Sequence, residues 1–242
     1  MFEKEKDLYL KRHGFEATSL KAVLFDMDGV LFDSMPNHAS SWTRSMAQFG
    51  LHMTPEEAYL HEGRTGGGTI NILTRRQWGR DATEEERQTM YKAKSELFSQ
   101  CPEAPQMPGA ANLLNKVKEE GLTPVLVTGS GQLTLLDRLN HNFPGIFQRG
   151  LMVTSFDVKR GKPDPEPYLM GLQKAGIRPW EGIVVENAPL GVQAATAARI
   201  FTIAVNTGPL PDQVLLDAGA DLLFPSVQSL YAHWEEVRQT FS

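Results

Sequence analysis

Two kinds of apolar pattern alternate along the chain, and the change from one to the other divides it. Ala22-Val23-Leu24-Phe25 is a short unbroken apolar run that stops at Asp26, the pattern of a buried strand ending at a functional loop. From about Pro36 to Cys101 the apolar positions take helical spacing instead. Trp42, Met46 and Phe49 share a face before Gly50, and Thr54-Pro55-Glu56-Glu57 and Thr83-Glu84-Glu85-Glu86 are capping-box signatures that open two further helices. A fourth helix carrying Ile70, Leu73 and Gln77 is expected after a break at Gly66-Gly67-Gly68. Beyond Pro108 the short apolar runs return as Val125-Leu126-Val127, Leu151-Met152-Val153, Ile183-Val184-Val185, Phe201-Thr202-Ile203-Ala204-Val205 and Leu222-Leu223-Phe224. Helix-length segments separate them, which predicts βαβ units and a parallel sheet.

The expected fold is therefore an α/β, doubly wound parallel-sheet core formed by residues 1–34 and 105–242. A helical insert, residues 35–104, interrupts it after the first strand; at roughly 70 residues such an insert can hold its own small core and act as a lid. Residues 1–20 precede the first strand as a charged helix or a frayed arm.

Composition narrows the function. With 242 residues, 41% hydrophobic and 22% charged, the chain reads as a globular protein with a substantial core. No apolar run approaches the ~20 residues of a membrane span, and the charged start Met1-Phe2-Glu3-Lys4-Glu5-Lys6 is unlike a secretory signal, so the expected location is cytoplasmic. Twenty-four basic against 29 acidic side chains give a net charge of −5 with no basic block, which disfavours nucleic acid as a partner. Cys101 is the only cysteine, so neither an intrachain disulfide nor a cysteine-cluster metal site can form. Oligomeric state is left open, a monomer being compatible with the sequence.

In open parallel sheets ligands bind beyond the carboxyl ends of the strands, so chemistry is sought just after each apolar run. Asp26-Met27-Asp28-Gly29 places two carboxylates two residues apart, pointing the same way if the chain is extended; a hairpin turn at Asp28-Gly29 fits the same residues equally well. Thr128-Gly129-Ser130-Gly131 leads into the helix-like Gln132-Leu133-Thr134-Leu135-Leu136, an arrangement of hydroxyls and free backbone N–H groups suited to an anion. Gly161-Lys162-Pro163-Asp164-Pro165 holds a lysine in a proline-stiffened loop. Glu186-Asn187 directly abuts a buried strand, and an acid there must find a partner.

These four motifs, in this order and at strand ends, resemble those of the haloacid dehalogenase superfamily of phosphotransferases. The helical insert after the first motif resembles its β-phosphoglucomutase-like branch, with the pattern of residues 21–225 similar to bacterial inorganic pyrophosphatases of that branch. The resemblance implies an Mg²⁺-dependent phosphohydrolase acting on a small phosphorylated substrate through an aspartyl-phosphate. Asp26 would be the nucleophile and Asp28 the general acid/base. Mg²⁺ would be held by Asp26, the Asp28 carbonyl, Glu186 and Asn187; Thr128, Gly129 and Ser130 would take phosphoryl oxygens, and Lys162 would balance the charge.

The resemblance also implies a choice between two activities. His38 and Trp42 sit where the sugar mutase has a His and a Trp, but Glu62 stands where it has a lysine, Gly66 where it has an arginine and Gly131 where it has another lysine. Arg64 could compensate only in a rebuilt loop. Asn187 replaces an acid, which favours a more highly charged anion. Inorganic pyrophosphate is thus the expected substrate, with Glu62 joining the metal shell on lid closure; β-phosphoglucomutase is the alternative, and a non-enzymatic phosphate-binding protein a further one. His52 and His61 are expected at the surface, and Trp78, Trp180 and Trp234 in packing.

Overall fold

The computed structural model describes residues 1–131 and 135–241. In chain order its elements are α1 (Glu3–His13), β1 (Ala22–Phe25), α2 (Met35–Gln48), α3 (Pro55–Leu60), α4 (Gly66–Trp78), α5 (Glu84–Ser99), α6 (Ala110–Glu119), β2 (Thr123–Val127), α7 (Leu135–Asn142), β3 (Met152–Val153), α8 (Glu166–Ala175), β4 (Gly182–Glu186), α9 (Pro189–Ala197), β5 (Phe201–Val205), α10 (Asp212–Asp217), β6 (Leu222–Phe224), α11 (Val227–Ala232) and α12 (Trp234–Thr240). The strands form one parallel sheet in the order β3-β2-β1-β4-β5-β6. The doubly wound parallel sheet expected from the alternating runs is the fold.

Strand periodicity sorts the core into two layers. Val23 and Phe25 of β1, with Leu126, Ile183, Val185 and Ile203, face a layer built by Tyr9 of α1, Leu113 and Leu114 of α6, Leu139 of α7, Leu230 of α11 and Trp234 of α12. Ala22 and Leu24 point the other way, with Val125, Val127 and Val184, against Tyr168 and Leu172 of α8 and Ala194 and Ala195 of α9. Each such buried aliphatic or aromatic side chain stabilises the fold by about 1.5–3 kcal/mol relative to exposure.

Gly29, at φ +83°, turns the chain after Asp28, and the Val30 and Leu31 N–H groups bond back to the Met27 carbonyl. That tight turn, rather than a hairpin, follows the first strand. Helices α2 to α5 then pack around their own cluster of Met46, Leu51, Ile70, Leu73 and Met90. Thr54 and Thr83 both form the expected capping boxes.

Two expectations need correction. Gly66, Gly67 and Gly68 do not break the chain; they are the first turn of α4, with Thr65 accepting from the Gly68 N–H. A Cβ at Gly66 would come within 2.3 Å of the Tyr91 ring, so the glycine lets α4 approach α5 closely. The expected helix start at Gln132, Leu133 and Thr134 lies outside the described residues. Residues 3–13 are an anchored helix: Tyr9 is fully buried, and its hydroxyl donates to the Arg199 carbonyl at 2.9 Å. Trp234 is core and Trp180 packs on Phe15, whereas Trp78 is 37% exposed with Arg80 over its ring, contrary to the packing role expected of it. It is the last residue of α4, before the C-cap Gly79.

Candidate functional site

The site lies where the strand order reverses, because β1 is flanked by β2 on one side and β4 on the other. Asp26 continues β1 by one ladder bond, its N–H donating to the Val185 carbonyl at 3.0 Å. Its carboxylate accepts from the buried Lys162, whose ammonium also donates to Glu186 Oε1 at 2.6 Å and to the Val127 carbonyl at 3.3 Å. A lysine with its stem and head both buried is stable only when such partners surround it. Burial pushes the Asp26 carboxyl up, Lys162 opposes this, and Glu186 and Asp28 add to the rise.

Glu186 has found the partners its position demanded. Oε1 accepts from Lys162 and from the Tyr168 hydroxyl at 3.0 Å; Oε2 accepts from the Asn187 and Ala188 N–H groups at 2.8 and 2.9 Å, at the start of α9. A Cβ at Gly191 would lie 1.6 Å from Oε1, so this glycine makes room for the carboxylate.

Asp28 is held differently. Its Oδ1 accepts from Ser34 Oγ and lies 3.5 Å from His38 Nε2. Burial acts to raise this carboxyl, but His38, Ser34 and Arg138 overcome it and hold the group at about 2. His38 stacks on Phe98 and meets Lys94 Nζ through Nδ1 at 3.0 Å. An ammonium has only donors, so Nδ1 accepts and Nε2 carries the proton facing Asp28. Lys94, 6% exposed, also lies over the Phe98 and Trp42 rings, and burial pulls it down to about 8. Sequence reasoning missed it. The available signal was its four-residue spacing from Met90, which places a lysine on the apolar stripe of a helix.

Thr128 closes β2 and is buried, with its Oγ1 accepting the Ser130 N–H at 3.0 Å. Above these residues a cleft of about 1070 Å³ is lined by Asp26, Asp28, Gly129 and Ser130 of the core and by His38, Trp42, His61, Glu62, Arg64 and Lys94 of the helical insert. Thr128 and Lys162 line a smaller pocket of about 140 Å³, which shares Gly129 and Arg64 with the cleft. His61 borders the cleft as well, contrary to the surface position expected for it, because the loop after α3 turns inward; His52 is at the surface.

Glu62 reaches the core: Asn187 Nδ2 donates to both of its oxygens, at 3.1 and 3.0 Å. Burial raises the Glu62 carboxyl well above its ordinary value, and the charges of Asp26 and Glu186 raise it further. With the amide NH₂ fixed on that carboxylate, Asn187 Oδ1 faces away, buried and without a hydrogen-bond partner. Among the described residues no three His, Cys, Asp or Glu side chains form a metal-holding group. The donors that do fit a hard cation are the Asp26 carboxylate, the Asp28 carbonyl and the orphaned amide oxygen, and the two carboxylates of Asp26 and Glu186 around one buried lysine leave a negative excess for such an ion.

Comparison with known proteins agrees with this geometry. The haloacid dehalogenase-like hydrolase family matches residues 23–205. A solved structure from Bacteroides vulgatus, described provisionally as a beta-phosphoglucomutase, is 62% identical with a TM-score of 0.97, covering 100% of this chain and 98% of that one. Hexitol phosphatase A of Escherichia coli is 34% identical over 189 residues, 77% of this chain and 83% of the relative. A phosphorylated carbohydrates phosphatase of Thermotoga maritima is 32% identical over 203 residues, 83% and 92% of the two chains.

Proposed function

We propose a phosphohydrolase, from the premise that this chain belongs to the haloacid dehalogenase-like hydrolases, in their β-phosphoglucomutase-like branch. The observation that carries the proposal is the buried Lys162 held between Asp26 and Glu186 beside Thr128, under an open cleft. Residues 35–104 serve as the cap over residues 1–34 and 105–242.

Asp26 attacks phosphorus while Lys162 neutralises charge beside it; the bond from phosphorus to the leaving oxygen breaks, and that oxygen keeps the electron pair. Thr128 and the Gly129-Ser130 backbone orient the phosphoryl oxygens. Asp28 then takes a proton from the water that releases phosphate from Asp26. A bound Mg²⁺, held by Asp26, the Asp28 carbonyl and Asn187, would supply positive charge to the phosphoryl oxygens. Glu186, with both oxygens already taken, positions Lys162 instead of joining that shell.

Pyrophosphate is the first substrate of the proposal. Asp28 stands ionised on Ser34 and His38, unable to donate a proton until it leaves them. A departing phosphate is a weak base that leaves without one, whereas a sugar alkoxide needs it. The loop after α3 also presents the carboxylate of Glu62 to the site, beside Asn187, with Arg64 as the loop's one cation bordering the cleft. The second proposal is a phosphorylated sugar, supported by the two relatives named as carbohydrate or hexitol phosphatases and by a cleft larger than pyrophosphate fills.

Phosphate release from pyrophosphate, hexitol and hexose phosphates and β-glucose 1-phosphate, with and without Mg²⁺, separates the two. Mg²⁺-dependent release with the highest kcat/KM on pyrophosphate supports the first. Preference for a sugar phosphate supports the second, and formation of glucose 6-phosphate from β-glucose 1-phosphate with its bisphosphate primer replaces both with the mutase.

A further inference from the structure

Four buried side-chain nitrogen or oxygen atoms among the described residues lack a hydrogen-bond partner, and three of them belong to the site: Asn187 Oδ1, Arg64 Nε and Arg138 Nε. The amide oxygen suits a cation. The two guanidinium groups, one from the loop before α4 and one from α7, suit an anion.

Arg138 belongs to none of the sequence motifs. It projects from α7 and lines the cleft with Asp28, Ser130 and Gly131. Its guanidinium lies 3.9 Å from the centroid of the fully buried Phe32 ring, which fixes the plane of the fork, and the side chain is 18% exposed. Its ion-pair partner is Glu103 at 4.0 Å, at the limit of an ion pair and with a side chain 68% exposed, so solvent screens the attraction. Of the other cations bordering the site, Arg64 belongs to the loop of the insert, and the two lysines are committed. Lys162 is shared by Asp26 and Glu186, and Lys94 is bound to His38 between two aromatic rings. Arg138 keeps its charge at every working pH and can hold two oxygens at once.

We propose that Arg138 is a specificity-determining residue that binds the second anionic group of the substrate, the one not transferred to Asp26; for pyrophosphate this is the departing phosphate. The proposal rests on the phosphohydrolase reading above and deepens it. It accounts for Glu62 and Gly66 standing at the two positions where the sugar mutase has a lysine and an arginine, because the distal clamp then comes from core helix α7. Arg138 forms no covalent bond. As the bond between the bridging oxygen and the transferred phosphorus breaks, the electron pair goes to that oxygen and the guanidinium stabilises the charge on the phosphate that leaves.

Steady-state kinetics of R138A and R138K in Mg²⁺, on pyrophosphate and on p-nitrophenyl phosphate, test this, the second substrate having no further anionic group. R138A should raise KM for pyrophosphate about tenfold or more while KM for p-nitrophenyl phosphate rises less than about twofold, with R138K between, since lysine keeps the charge and loses the fork. An equal rise on both substrates, or no rise on pyrophosphate, overturns the proposal. Should R138A fail to fold, R138K carries the same comparison. A second measurement stands apart from turnover: calorimetric titration of the D26N protein, with and without R138K, using imidodiphosphate and inorganic phosphate. Weakening of imidodiphosphate alone supports the assignment, and equal or no weakening overturns it. If the wild-type protein hydrolyses no phosphate compound, the hydrolase reading falls and the titration still decides the role of Arg138.

Discussion

Glu62 and Asn187, 125 residues apart in the chain, meet through two hydrogen bonds from one amide nitrogen, at 3.1 and 3.0 Å. The pair ties the loop after α3 to the loop after β4. It also turns the amide so that its oxygen, and not its nitrogen, is left for a cation.

Removing Glu62 should therefore act on the site through Asn187. Glu62→Ala is expected to lower kcat/KM for pyrophosphate by about ten- to a hundredfold, and for p-nitrophenyl phosphate by clearly less. Equal losses would retire the idea that this carboxylate serves the more highly charged substrate.

Asp26→Asn should abolish turnover of every phosphate substrate, by a factor on the order of 10⁴ or more, because the amide is no nucleophile toward phosphorus. Asparagine keeps an oxygen for Lys162, so the circular dichroism spectrum and melting transition should stay close to wild type. Near-normal phosphate release would mean that another group attacks.

Lys94 links stability to pH. Its folded value of about 8 lies below the usual 10.5, owing first to burial. Between those values the unfolded chain binds a proton the folded one does not, so folding becomes more favourable as pH rises through that window; below it, the full cost of burying the charge is present. Lys94→Met should stabilise the protein at pH 7 by up to about 3 kcal/mol, with the gain gone by about pH 10.5. A melting-temperature difference that is the same at pH 7 and pH 10 would contradict this account.

Tyr9 tests the first helix. Its ring is fully buried against Phe201 and its hydroxyl bonds the Arg199 carbonyl. Tyr9→Ala should cost about 3–5 kcal/mol in urea unfolding and Tyr9→Phe about 1 kcal/mol. A cost below 1 kcal/mol for the alanine variant would show that residues 3–13 are a loosely attached arm.

The strands, both capping boxes and the four motif loops could be read from the sequence because each depends on residues a few positions apart: the two-residue period of a strand, the Thr-to-Glu reach of a cap, an acid ending an apolar run. The turn after Asp28 could not be read the same way. Val-Leu-Phe on either side of Asp-Met-Asp-Gly satisfies a hairpin locally, and only pairing of β1 with β2 and β4 on both edges leaves no place for a returning strand.

The sequence by itself determined the layered fold and the positions of Asp26, Asp28, Thr128, Lys162 and Glu186 at strand ends, because hydrophobic periodicity fixes which residue is the first to leave the sheet. Tertiary structure alone decided what those groups touch. Glu186 is saturated by Lys162, Tyr168 and two backbone N–H groups, Asp28 is bound by Ser34 and His38, and Lys94, Arg138 and Glu62 arrive from helices and a loop remote in the chain. Partners of that kind follow from sheet register and the docking of the insert over the core, which no local spacing encodes.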